Sequence, residues 1–198
     1  MHLAPALADF LVQYPDLQVQ LTLNDRFIDP IEEGFDVTVR IASPQKTASL
    51  VVHPLVRAQR VLCATPTYLE IHGTPTHPGQ LRHYSCLHYG QLAAENQWTL
   101  IGPDDKVHTI SVYGMLCSNN GEVLRDAAVR GLGITLLPRF IVGQELQQGN
   151  LQTVLPDYHP PETSIYVTYP VNRHLSTKIR ILVDFLQKRF GHQPDWDL

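Results

Sequence analysis

Cysteine is scarce: Cys63, Cys86 and Cys117 are the whole set in 198 residues. An odd number, widely spaced and without a C-x-x-C pair, argues against a disulfide framework or a cysteine-based zinc site. Each lies among apolar neighbours, as in Val61-Leu62-Cys63-Ala64, which reads as buried free thiols in a reducing compartment. Charge is thin as well, at 17% of residues with a net −4. Lys46, Arg57, Arg60, Lys106, Arg125, Arg130 and Arg139 are scattered along the chain. A domain that holds DNA by itself needs a basic patch to neutralise phosphates, so nucleic-acid binding by this chain alone is not expected.

Long apolar runs are also missing. Nothing approaches the ~18–20 consecutive apolar residues of a membrane span. Met1-His2-Leu3-Ala4-Pro5 has no basic region leading into an apolar one, so no signal peptide is read there and a cytoplasmic location is expected. Catalytic signatures are absent: there is no H-E-x-x-H, P-loop or G-x-S-x-G. The lone G-x-G at Gly131-Leu132-Gly133 follows a helical stretch, whereas a dinucleotide fingerprint follows a strand and opens a helix. His83, Cys86 and His88 fall close together, yet positions i, i+3 and i+5 of a strand do not share one face. No metal, no cofactor and no enzymatic activity are expected, because no convergent acid, base and nucleophile appear.

What is present is an alternation of helical and strand patterns, with 43% hydrophobic residues, ordinary for a soluble globular protein. Leu3, Leu7, Phe10, Leu11 and Tyr14 share a helical stripe that ends before Pro15. Leu17, Val19, Leu21 and Leu23 alternate with polar residues, which predicts a strand. Pro30-Ile31-Glu32-Glu33-Gly34 reads as a short helix and 35–41 as a second strand, and this order predicts parallel pairing. Strand-like runs follow around 50–52 and 60–64. Thr65-Pro66 suits the start of a helix. Strands are expected near 84–89, 97–101 and 107–113, then a helix at 121–130 ending at Gly131. A buried strand at 134–137, a strand at 164–169 and an amphipathic helix from Ser176 to Phe190 complete the pattern.

Several stretches, taken in order, resemble the effector-binding domain of LysR-type transcriptional regulators: "LAPALADFLVQYPDLQVQL", "FDVTVRI", "VLCATPTYLEIHGTP", "AVRGLGITLLPRF", "QGNLQTVL" and "YVTYP" followed by "LSTKIRILVDFL". The resemblance covers nearly the whole chain. It implies an α/β fold of two Rossmann-like lobes, similar to type 2 periplasmic binding proteins. Regulatory lobe I would hold residues 1–64 and 168–198, and lobe II residues 65–167. It further implies a ligand-sensing and oligomerisation domain. The partners would be a small-molecule effector, with an organic acid as the candidate class, and further copies of itself as homodimer or tetramer. DNA would be reached only through a helix-turn-helix part outside this chain. The first lobe would lack the family's N-terminal strand, which predicts a gap in its sheet: closed by shifted strands, filled by another chain, or left as distortion. A solute-binding receptor of a transport system is the alternative reading.

The candidate ligand contacts are few. Ser118, Asn119 and Asn120 stand before the 121–130 helix, where free N–H groups and the helix dipole favour an anion, although Ser and Asn also serve as plain caps. Arg40 can hold a carboxylate through two bonds or pair with an acidic neighbour. Ser43 stands two residues beyond the end of the 35–41 strand, and the resemblance adds Asn24, Asp25 and Arg26 after the 17–23 strand and Thr65 at the first crossover.

Overall fold

The computed structural model describes residues 3–24, 29–42, 48–90, 96–173 and 176–191. In chain order its elements are α1 (Leu3–Gln13), β1 (Thr38–Ala42), β2 (Leu50–Arg57), β3 (Arg60–Ala64), α2 (Pro66–His72), a 3-10 helix (Pro78–His83), β4 (Cys86–Tyr89), β5 (Gln97–Ile101) and β6 (Val107–Ser111). There follow β7 (Cys117–Ser118), α3 (Gly121–Val129), β8 (Ile134–Pro138), α4 (Arg139–Gln147), β9 (Gln152–Thr153), β10 (Ser164–Pro170), a short 3-10 turn (Val171–Arg173) and α5 (Thr177–Phe190). Packing divides the chain at Ala58/Gln59 and at Pro161/Glu162 into two compact units.

Unit 1 is built on a three-stranded sheet in the order β1-β10-β2. Both pairings are antiparallel, with Thr38 opposite Thr168 and Pro170 opposite Leu50. The Thr38 and Thr168 hydroxyls bond to each other. Helix α1 buries Ala6, Leu7 and Phe10, and α5 buries Ile179, Val183, Leu186 and Phe190. The two helices meet where the Phe10 ring stands edge-on to Phe185, centroids 5.3 Å apart. Burying such apolar side chains is worth ~1.5–3 kcal/mol each.

Three expectations for this unit are corrected. Leu17–Leu23 was expected to be a strand, yet 18–24 takes no regular element and no strand pairing among the described residues includes it. Val19, Leu21 and Leu23 are 39%, 46% and 62% exposed, so the alternation survives without a sheet to bury it. A period-2 pattern supplies one apolar face, but a strand also needs a neighbour for its backbone groups. The predicted parallel pairing is absent from this sheet for the same reason: β1 finds its partner in β10, which runs the opposite way. Pro30–Gly34 is a set of hydrogen-bonded turns (Phe35 N to Pro30 O, 2.9 Å; Glu33 N to Asp29 O, 3.1 Å), not a helix. An open recess of about 730 Å³ lies on this unit, lined by Leu7, Phe10, Leu17, Leu21, Val39 and Ile179 among others.

Unit 2 holds a five-stranded sheet in the order β7-β4-β8-β3-β9. Here β4 runs parallel to both β7 and β8, while β3 is antiparallel to β8 and β9. Both faces are covered, which is why Ile134 to Leu137 are all buried, Thr135 included. One face packs Leu62, Ile134 and Leu136 with Trp98 and Leu100 of the β5–β6 hairpin. The other packs Cys63, Leu87 and Leu137 with Leu124 and Ala128 of α3 and Val142 of α4. Helix α2 starts as its sequence predicts, with the Thr65 hydroxyl accepting from Tyr68 N at 3.1 Å. Helix α3 closes with Leu132 N bonded to Ala127 O and Gly131 N to Ala128 O, the paired bonds of a Schellman end.

Candidate functional site

The strand directions of unit 2 decide which candidates can act together. The carboxyl ends of β4, β7 and β8 share one end of the sheet, and antiparallel β3 begins there, with Arg60 opposite Pro138. The chain enters and leaves the unit at this same end, next to Gln59 and Pro161. Ser118 ends β7, and Asn119 and Asn120 follow it, so all three lie here. Thr65 follows β3 and lies at the other end. Gly131, just past the C-terminus of α3, is the neighbour of Thr65: a Cβ placed on Gly131 would sit 3.6 Å from the Thr65 hydroxyl. Asn120 caps the opposite end of α3. A nine-residue helix, about 14 Å long, therefore separates Thr65 from the other candidates in this unit.

At the Asn120 end, much of the donor capacity is already used. Asn120 Oδ1 accepts from Glu122 N at 2.8 Å and Val123 N at 3.3 Å, and its own N–H donates to Ser118 Oγ at 3.0 Å. Glu122 places a carboxylate in the first turn. Asn120 thus performs the capping role in full, and among its neighbours Asn119 stays exposed. The β7 edge is held by Gly90 N donating to Ser118 O at 3.0 Å and by Cys117 Sγ donating to Gly90 O at 3.2 Å.

Two residues absent from the candidate set join this end. Arg60 opens β3 and Arg139 opens α4, and Arg139 N bonds to Gln59 O at 2.8 Å. Their Nε atoms are both buried and without a partner among the described residues. Arg60 Nη2 donates to Pro161 O at 3.1 Å, and burial lowers the pKa of its guanidinium. With strands about 4.8 Å apart, Arg139 lies two strands, or about 10 Å, from β7. The only sequence signal for the pair is that both are arginines beside strand ends.

In unit 1, Arg40 lies on β1 opposite Tyr166 and is half-buried. Arg40 and exposed Asn24 each have a partner of their own. Asp25, Arg26 and Ser43 lie outside the described residues. Among those described, no group of three or more His, Cys, Asp or Glu residues could hold a metal. Cys86 is fully buried and donates to Leu81 O at 3.5 Å. His88 is half-buried, and desolvation lowers its pKa.

The family model of the LysR substrate binding domain matches residues 1–191. This chain belongs to that family. It is an effector-binding regulatory domain of the LysR type. An uncharacterized HTH-type transcriptional regulator of Haemophilus influenzae is 34% identical over 180 residues, covering 90% of this chain and 62% of the relative. The HTH-type transcriptional regulator DmlR of Escherichia coli is 32% identical over 197 residues, covering 98% of this chain and 63% of the relative. The chain thus spans about 60% of the length of the curated relatives it matches. The regulatory domain of AphB from Vibrio vulnificus superimposes with a TM-score of 0.80 at 31% identity, covering 92% of this chain and 89% of that one. These relatives are transcriptional regulators, and the LysR domain takes the mixed α/β fold of its solved relatives. No helix among the described residues is long and apolar enough to cross a membrane.

Proposed function

We propose that this LysR domain senses a small organic acid and releases it unchanged. Its parent would be a cytoplasmic, homo-oligomeric regulator that reaches DNA through a helix-turn-helix part. The observation that carries the reading is the cationic end of the unit 2 sheet. Arg60 and Arg139 bring two guanidinium groups there, each with a buried Nε lacking a partner among the described residues, at the same sheet end as Ser118 and Asn119. A buried donor without a partner costs about 1–3 kcal/mol, and a carboxylate would satisfy it with the planar geometry arginine favours. Asn120 then acts as a positioning residue, because its side chain is spent on the α3 cap. Arg40 and Asn24 remain the unit 1 contacts, and Asp25, Arg26 and Ser43 complete the proposed set. Thr65, at the opposite end of the unit 2 sheet, is not part of this set.

The test is a thermal-shift screen of small mono- and dicarboxylates, with each hit incubated and assayed for conversion. A ligand at a hundred times its Kd stabilises the folded state by about 2.7 kcal/mol. Arg139→Gln should abolish the shift while leaving the unliganded melting temperature nearly unchanged. Stabilisation that survives both Arg139→Gln and Arg60→Gln would remove the acid site from this sheet end. Chemical turnover of a hit would replace sensing with catalysis. Sedimentation with and without the hit tests the oligomer.

A further inference from the structure

A second recess lies on unit 2, at the β5–β6 hairpin and the 3-10 helix. It has a volume of about 610 Å³, and its lining includes His77, Arg82, His108, Thr109, Ser111 and Tyr113. Among the described residues no carboxylate lines it. The loop that carries His77 and Arg82 is tightly built. His77 N and Thr76 N both donate to Gln80 Oε1, at 3.2 and 2.7 Å. Gly79 N donates to His77 Nδ1 at 3.1 Å, and Arg82 Nε donates to Gly79 O at 2.7 Å.

These bonds fix the chemistry each group offers. An imidazole whose Nδ1 accepts from Gly79 carries its proton on Nε2, so His77 keeps Nε2–H as its donor. Arg82 uses Nε on the loop and keeps both terminal nitrogens. A Cβ built on Gly79 would lie 3.2 Å from His77 Nδ1 and 3.4 Å from Arg82 Nη2, so the ring and the guanidinium are immediate neighbours. His108 comes from a different element, β6, and stands edge-on to His77 with centroids 5.0 Å apart. Tyr158 closes the group behind both rings, 6.2 Å from His77 and 5.7 Å from His108. The capping role explains His77 alone; it explains neither Arg82 nor His108. The acidic residues at the hairpin tip do not fill the recess, since Asp104 is paired with Lys106 at 2.6 Å.

We infer that this recess binds a small dianion, with the Arg82 guanidinium as fork and the His77 and His108 imidazoles as flanking donors. The hydroxyls of Thr109 and Ser111 supply further contacts. The shared chemistry is that of a phosphate group or a compact dicarboxylate. The site is independent of the sheet end formed by Arg60 and Arg139, so either can fail without the other.

The experiment is an NMR titration of the whole chain with inorganic phosphate, with succinate, and with chloride at matched ionic strength. Signals of the His77 and His108 rings and of Arg82 Nε–H should shift along a saturable curve with phosphate, succinate or both, and not with chloride. Which of the two saturates names the source of the charge. Arg82→Gln should weaken binding at least tenfold. His77→Asn keeps a capping side chain and removes the imidazole donor, so it should weaken binding while the amide spectrum stays folded. His108→Gln tests the second element. Shifts that follow chloride equally, or that saturate unchanged in Arg82→Gln and His108→Gln, overturn the assignment.

Discussion

Replacing Gly133 by alanine should be far more damaging than the same change at Gly149, although both glycines have positive φ. Gly149 has φ +74° with nothing within 4 Å of a built Cβ, so alanine there meets only backbone strain, about 1 kcal/mol. Gly133 has φ +155°, and its Cβ would land 2.2 Å from the backbone oxygen of Ser85. That oxygen accepts the Ile134 N–H at 2.8 Å where β4 and β8 run side by side. The methyl group therefore competes with a sheet hydrogen bond worth about 1 kcal/mol. It also forces backbone strain of about 1–3 kcal/mol. Ile134, Leu87 and Leu137 are fully buried around it, so overpacking adds about another 1 kcal/mol. The sum is about 3–5 kcal/mol, some 3 kcal/mol beyond Gly149→Ala. For a chain of this size that difference lowers the melting temperature by about 6–12 °C. Urea unfolding followed by Trp98 emission in a Trp196→Phe background reads unit 2 directly, since Trp98 is buried there and these are the two tryptophans. If the two glycine variants unfold within about 1 kcal/mol of each other, the close approach of β4 and β8 is not what fixes glycine at 133.

Further outcomes follow from the caps and the thiols. Asn120→Ala should cost about 1 kcal/mol in urea unfolding, whereas Asn120→Asp should hold the cap; equal losses would show that the cap bonds contribute nothing. Cys117, half-buried, should be the first thiol labelled by a maleimide under native conditions, with Cys63 and Cys86 labelled only on unfolding; mass mapping of the adducts checks the order. Burial pushes the Cys63 and Cys86 thiols up to about 12. Above the free-thiol value near 9 the unfolded chain loses these protons while the folded chain keeps them. Stability therefore falls as pH rises from about 9 towards 12, by about 1.4 kcal/mol per pH unit for each thiol, and is unaffected below that window. Cys63→Ala should make that slope shallower in urea midpoints measured from about pH 9 to 10, below the range where the buried Tyr68 and Tyr169 phenols add to it, and an unchanged slope would remove Cys63 as a source.

Local order determined much of this protein in advance. The apolar stripes of α1 and α5, the Thr65 cap of α2 and the Schellman end of α3 lie within a few residues of their own signals, because helix bonds span only four residues. The run Ile134–Leu137, apolar but for Thr135, announced burial on both faces for a similarly local reason. Sheet partnership had no such signal. The perfect alternation at Leu17–Leu23 says which face is apolar but not whether a neighbour exists, and the structure leaves it outside the sheet. Nor could the sequence show that antiparallel β3 sends Thr65 away from Ser118–Asn120 while bringing Arg60 beside Arg139, residues far apart in a list of scattered charges. Strand direction and order arise from pairings across dozens of residues. They decided which candidates share an end of the sheet, and no spacing along the chain encodes them.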